Sequence, residues 1–317
     1  MNIYSKYTDQ DAHNDLIKCS VCPRSCRANR VTGPQGYCNT DSDFNISSIC
    51  IHKGEEPVIS GSEGICNIFF SHCNLQCIYC QNYQISQNDT IDSAFGTLEE
   101  ITETIITYLD RGCRSVGFVS ASHMVPQMMM IINSLHRWER YPTIVYNSNG
   151  YDSVETLKRL EGIVDVYLPD FKYSSNALGK PFSDVRNYVE VASAALKEMY
   201  RQMGPNVITD DSNSAVRGMI VRHLVLPGYI DNSIEALNFI ARELSPKINL
   251  SLMAQYHPMA KALGHKTLGR TLLAEEYEKV CHEMENLGFT NGWIQELDSN
   301  TEYLPDFNWQ HPFEKSV

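Results

Sequence analysis

The chain has 317 residues, 43% of them hydrophobic, which is ample for a packed core and argues against wholesale disorder. Its 38 acidic and 26 basic side chains leave a net charge of −12, so no positive field exists to draw in a nucleic-acid backbone. No window reaches the about 18 uninterrupted apolar residues of a membrane helix, and the start MNIYSKYTDQDAHND lacks the apolar stretch of a signal peptide. A cytoplasmic location without a membrane partner is therefore expected. Thiols stay reduced there, so the eleven cysteines are expected to be ligands rather than crosslinks.

Residues 1–60 are expected to form a cysteine-rich, irregular metal-binding segment, broken by Pro23, Gly33, Pro34 and Gly36. Residues 61–300 show a different pattern, in which short apolar runs alternate with amphipathic helical stretches, the βα signature of a parallel sheet. Residues 301–317 are expected to be a C-terminal tail. The predicted strands are Ile65–Phe70, Ser115–Val119, Thr143–Tyr146, Val164–Leu168, Gly218–Leu226 and Asn249–Ala254. Between them Thr97 with Glu100, Asp152 with Glu155, and Asn232 with Glu235 have the spacing of helix-opening capping boxes. Further helices are predicted over Val125–Arg137, Tyr188–Arg201 and Leu272–Leu287.

The residues at and just beyond the strand ends carry the chemistry. In order the strands run into Cys73, Ser120-Ala121-Ser122-His123, Asn147-Ser148-Asn149, Asp170 with Lys172, Arg222 with His223, and Gln255-Tyr256-His257. Parallel βα units place these ends on one face, where barrel enzymes build their sites. Strand alternation sends one of Arg222 and His223 inward and the other toward the helices, and we expect Arg222 in the site.

Nine of the eleven cysteines lie between Cys19 and Cys80. Cys73-x-x-x-Cys77-x-x-Cys80 offers three thiolates, whereas a structural zinc site wants four. A cubane iron–sulfur cluster on three cysteines leaves one iron open to an outside ligand. The alternatives at this point are zinc with a distant fourth ligand, or buried cysteines without chemistry. Cys19, Cys22, Cys26 and Cys38 supply the four thiolates of a closed site, and spacing does not choose between zinc and iron. Arg24, Arg27 and Arg30 interleave with them and are expected to offset their charge, with a small docking patch as the alternative. Met128, Met129 and Met130 are expected to fill core, and Cys66, Cys113 and Cys281 to be buried small hydrophobes.

The motif CxxxCxφC after a first strand, with aromatic Tyr79 at φ, resembles that of the radical S-adenosylmethionine (SAM) superfamily. Longer stretches narrow the likeness: CSVCPRSCRANRVTGPQGYC, HKGEEPVISG, FFSHCNLQCIYCQNYQIS, YNSNGYDSVETLKRLEGIVDVYLPDFKY and RHLVLPG. Together, from Cys19 to Asp306, they resemble the iron–sulfur proteins grouped as pyruvate formate-lyase activating enzyme-like. The resemblance implies an α/β fold, a partial (β/α)6 TIM-type barrel with an N-terminal metal-binding segment. It implies that Cys73, Cys77 and Cys80 bind a [4Fe-4S] cluster whose fourth iron is chelated by SAM. Ser120, Ser122 and His123 stand where the family has Gly-Gly-Glu against the SAM amino group. Asn147, Asn149, Asp170 and Lys172 match positions that hold the SAM carboxylate and ribose; His257 matches a histidine near the ribose, and the Tyr79 backbone would meet adenine. A second iron–sulfur cluster or zinc would occupy the first cysteine group.

The implied activity is reductive cleavage of SAM to a 5′-deoxyadenosyl radical that abstracts hydrogen. The implied use is activation of a glycyl radical enzyme, with modification of a peptide or small molecule as the alternative and a flavodoxin- or ferredoxin-type protein as reductant. A non-catalytic iron–sulfur carrier or zinc-stabilised scaffold is the alternative from another class; it predicts no SAM binding.

Overall fold

The computed structural model describes residues 7–33, 36–89, 94–301, 304–309 and 311–313. Nine strands run through them: β1 (Ile46–His52), β2 (Ile65–Phe70), β3 (Ser115–Val119), β4 (Thr143–Ser148), β5 (Val166–Pro169), β6 (Ile208–Thr209), β7 (Ala215–Leu224), β8 (Asn249–Met253) and β9 (Gly292–Ile294). The helices are α1 (Asp9–Ile17), α2 (Pro57–Ser60), α3 (Tyr83–Ser86), α4 (Leu98–Asp110), α5 (Val125–Arg137), α6 (Val154–Arg159), α7 (Asn176–Ser183), α8 (Tyr188–Met203), α9 (Ile230–Glu243) and α10 (Ala274–Asn286).

The sheet order is β1-β2-β3-β4-β5-β7-β8-β9, with β6 paired to β7 alone. From β2 to β9 every neighbour on this path is parallel. β2 and β3 are buried at every position, as strands covered on both faces must be. Each fully buried Val, Ile or Phe on them contributes about 1.5–3 kcal/mol by leaving water. The two ends of the sheet, β1 and β9, are not paired with each other among the described residues, so the barrel is open. The six expected strands form its staves, and the short β9 extends them.

Several expectations need correction. Residues 1–60 are not irregular throughout. Thr8 caps α1 reciprocally with Asp11, and β1 pairs antiparallel with β2 along its length. Pro34, one of the expected breakers, lies outside the described residues. Thr97 does cap α4, but the Glu100 carboxylate accepts from the Gly96 N–H, one residue before the cap. Ser153, not Asp152, caps α6; Asp152 is buried and accepts from the hydroxyls of Tyr146 and Ser148. Asn232 lies inside α9 rather than at its start, where it donates to the Lys172 carbonyl at 3.0 Å and accepts from Ser174 N–H at 2.8 Å.

Met128 and Met129 fill the core as expected, and no helix among the described residues is long and apolar enough to cross a membrane. Near the C-terminus, Phe307 and Phe313 pack on Phe69, with ring centroids 5.3 and 5.6 Å away.

Candidate functional site

The parallel register brings the polar strand ends level. Asn147 at the end of β4 pairs with Leu168 of β5, and Asp170 just beyond β5 bridges to Arg222 of β7. Asn147, Asp170 and Arg222 border a cavity of about 830 Å³ that also takes in Cys73, Cys77, Cys80, Tyr79, Ser120, Asn149 and Lys172. Gly150 makes the packing possible. Its φ is +82°, and a Cβ there would stand 2.2 Å from the Asp170 carbonyl oxygen.

A chain of opposite charges crosses the cavity floor. Lys172 Nζ lies 2.5 Å from Asp170 Oδ2, and Arg222 donates to Asp170 Oδ1 and Glu55 Oε2 at 3.1 Å each. Arg222 also donates to Asn147 Oδ1 at 2.5 Å, while Glu55 accepts from Asn67 at 2.9 Å. Burial works against an ionised Asp170, but Lys172 and Arg222 outweigh it and hold the carboxyl below its ordinary range. For Lys172, burial opposes the charge, yet Asp170 and the nearby Cys77 raise its pKa. His223 faces the other way, as strand alternation requires: Nδ1–H donates to the Phe171 carbonyl at 2.6 Å, and Nε2 accepts from Ser233 at 2.9 Å.

The cysteine loop leaves β2 and presents its three thiols to the same cavity. Hydrogen-bonding groups already face each sulfur. The Leu75 N–H and the Asn149 amide are both 3.4 Å from Cys73 Sγ, the Ser183 hydroxyl is 2.9 Å from Cys77 Sγ, and the Ser86 hydroxyl is 3.3 Å from Cys80 Sγ. Burial pushes the Cys73 thiol up to about 12 and Cys77 up to about 11. Thiolates here therefore need a bound cation, and the residues fit an iron–sulfur cluster. Among the described residues no three His, Cys, Asp or Glu side chains have the convergence of a single-ion site. A cubane, with each cysteine on its own iron, holds its ligands farther apart than one ion does.

Not every expected residue reaches this cavity. His123 is buried with Nε2 3.0 Å from the Ser71 carbonyl oxygen, and burial drives its pKa down to about 3. Ser122 is buried toward the Asp152 carboxylate. His257 is half-buried and does not border the cavity. Asn149 does border it, with its amide facing Cys73 and the Asn74 side chain, the latter 2.7 Å away.

In the N-terminal group Cys19, Cys22 and Cys38 are buried and Cys26 is exposed. The turn carrying them is closed by Arg27 N–H to the Cys19 carbonyl at 2.8 Å and Cys19 N–H to the Ala28 carbonyl at 2.9 Å. Burial, with the other three thiols nearby, raises Cys22 to about 12. Arg30 is buried beside Cys19 and donates to the carbonyls of Asp41 and His123, at 3.0 and 2.7 Å.

Residues to which the sequence assigned no definite role complete the walls. Glu55 sits in the visible GEEP turn, but its partner Arg222 is 167 positions away. Gln295 donates to Gln255 at 2.9 Å, and Gln81 donates to the Gln255 carbonyl at 3.0 Å, tying the cysteine loop to β8 and β9. Nothing local in the sequence marks Ser183 as a neighbour of Cys77.

The chain is similar to several known proteins. Two uncharacterized proteins of Methanocaldococcus jannaschii are similar in sequence. One is 32% identical over 86% of this chain and 76% of its own length, the other 25% identical over 77% and 72%. Methylornithine synthase shares the fold at 15% identity and a TM-score of 0.50, over 91% of this chain and 75% of its own. The match to Streptococcus suis SuiB, solved with a bound precursor peptide, is at 11% identity and a TM-score of 0.49; it covers 71% of this chain but only 47% of that one. The sequence model of the radical SAM superfamily matches residues 67–240, from within β2 through most of α9, and the chain belongs to that superfamily.

Proposed function

We propose that the protein is an enzyme that cleaves SAM reductively and uses the resulting radical to abstract hydrogen from a substrate in the barrel. One observation carries this reading: three thiols of a single loop border the same cavity as the Lys172–Asp170–Arg222 chain. Cys73, Cys77 and Cys80 hold the [4Fe-4S] cluster. When bound, the cluster and SAM supply the electron and the 5′-deoxyadenosyl radical.

The chain's own residues position and insulate. Lys172 offers its ammonium to the SAM carboxylate, and Asp170 keeps it charged and fixed. Arg222 holds Asp170 and Asn147 in place from below. Ser120 borders the cavity beside Asn147, whose carbonyl accepts from the Ser120 N–H at 2.8 Å. The Tyr79 backbone is the candidate for adenine. Cys19, Cys22, Cys26 and Cys38, which do not converge as a single-ion site does in this structure, are candidates for a second metal, iron–sulfur or zinc, in a segment that supports the cluster loop.

The target is a glycyl radical enzyme by resemblance, with a peptide or small molecule as the alternative. Anaerobic, cluster-reconstituted protein given SAM and dithionite should release 5′-deoxyadenosine; no product from protein with full iron content contradicts the reading. Deuterium carried into 5′-deoxyadenosine from a labelled candidate separates a protein target from a small molecule.

A further inference from the structure

Ser183 closes α7 and is fully buried, 2.9 Å from Cys77 Sγ. Its position is fixed by the backbone on both sides of that cysteine: Gln76 N–H donates to the Ser183 carbonyl at 3.2 Å, and Ile78 N–H to the Phe182 carbonyl at 2.9 Å. Behind Ser183 the contacts continue. Its hydroxyl lies 2.6 Å from the fully buried Tyr173 hydroxyl, which lies 2.6 Å from the Tyr79 hydroxyl.

Three hydroxyls make three contacts, and each hydroxyl has one proton. With a protonated Cys77 the protons can run either way along the row. A cysteine ligating iron is a thiolate, which accepts and cannot donate. The order is then unique: Ser183 donates to Cys77, Tyr173 to Ser183, and Tyr79 to Tyr173. Successive donors polarise one another, strengthening each bond by roughly 10–30%.

We propose that this polarised row is a tuning device for the cluster and that Ser183 is its positioning residue, with Tyr173 and Tyr79 reinforcing it. The proposal rests on the assignment of Cys77 as a cluster ligand. Reduction adds one electron, and a hydrogen bond to a ligand sulfur stabilises the more negative state, so the row raises the cluster's midpoint potential. The same motif residue, Tyr79, would thus serve the cluster through its side chain.

The test is an EPR-monitored redox titration, with dithionite as reductant, of the reconstituted full-length protein and of Ser183→Ala, Tyr173→Phe and Tyr79→Phe, each checked for iron and sulfide content. All three midpoints should move to more negative potential, most in Ser183→Ala, which removes the bond to sulfur, and least in Tyr79→Phe. Midpoints equal to wild type in variants with full iron content overturn the proposal. If Ser183→Ala takes up no cluster, Tyr173→Phe decides: a negative shift supports the row, and an unchanged midpoint ends it. A wild-type protein that takes up no cluster at Cys73, Cys77 and Cys80 overturns the parent reading instead, and that outcome is visible before any variant is compared.

Discussion

Arg24, between Cys22 and Cys26, donates through Nε to the Asn74 carbonyl at 2.9 Å, one residue past Cys73. Its Nη2 reaches the Asp184 carbonyl at 2.9 Å, one residue past Ser183, and its guanidinium lies 3.6 Å from the centre of the Tyr37 ring. A second tie runs beside it: Tyr37 accepts from Asn88 at 2.7 Å, and Asn88 accepts from the Cys73 N–H at 3.1 Å. The N-terminal segment is therefore built into the cysteine loop of the barrel.

Removing Arg24 tests that tie. Arg24→Ala loses two bonds from a charged donor and should cost on the order of 2–3 kcal/mol in urea unfolding. It should also slow cluster uptake, read as iron bound over time, without changing Lys172 or its neighbours.

Gly150→Ala should be more damaging than its size suggests. It forces a side chain into a left-handed turn and against the Asp170 carbonyl, at a cost of at least about 3 kcal/mol. Chemical denaturation reads the loss, and SAM binding by equilibrium dialysis should weaken with it.

Arg222→Met leaves Glu55 and Asp170 facing each other's field without their shared cation. Removing one partner of such a buried network costs about 3–5 kcal/mol. The double variant Arg222→Met/Glu55→Gln should recover part of that loss, since one orphaned charge is gone. Unfolding free energies of the three proteins check both statements.

Stability should fall as the solution is acidified below neutral, with His223 as one identifiable cause. Burial lowers its folded pKa to about 4, from an ordinary 6.5. The unfolded chain therefore binds a proton that the folded chain refuses. Stability is then complete above about 6.5 and declines as the pH falls toward 4, by on the order of 3 kcal/mol for this group. His223→Gln should flatten the pH profile of unfolding between those limits, whatever it does to stability at pH 7.

The six central strands were legible because each is a short, largely apolar run bounded by polar or turn residues. β1 was not, since its sequence ISSICIH mixes serine and cysteine into an edge strand with no crossover helix before β2. Gly179 and Pro181 hid α7, and three residues are too few to announce β9. Asp152 and Asn232 mimicked caps because an Asx side chain near a helix start looks the same whether it serves the helix or a distant partner. The cysteine loop and the polar strand ends were readable, being local. Glu55 and Ser183 were not, because their meaning lies in contacts 167 and 106 positions away.

The measurement closest to the core of the account is the metal and spectrum of the anaerobically matured, dithionite-reduced protein, with and without SAM. We predict a [4Fe-4S] EPR signal that changes when SAM is added and disappears in Cys73→Ser, Cys77→Ser and Cys80→Ser. Zinc alone at those three cysteines, or a cluster signal indifferent to SAM, would contradict it.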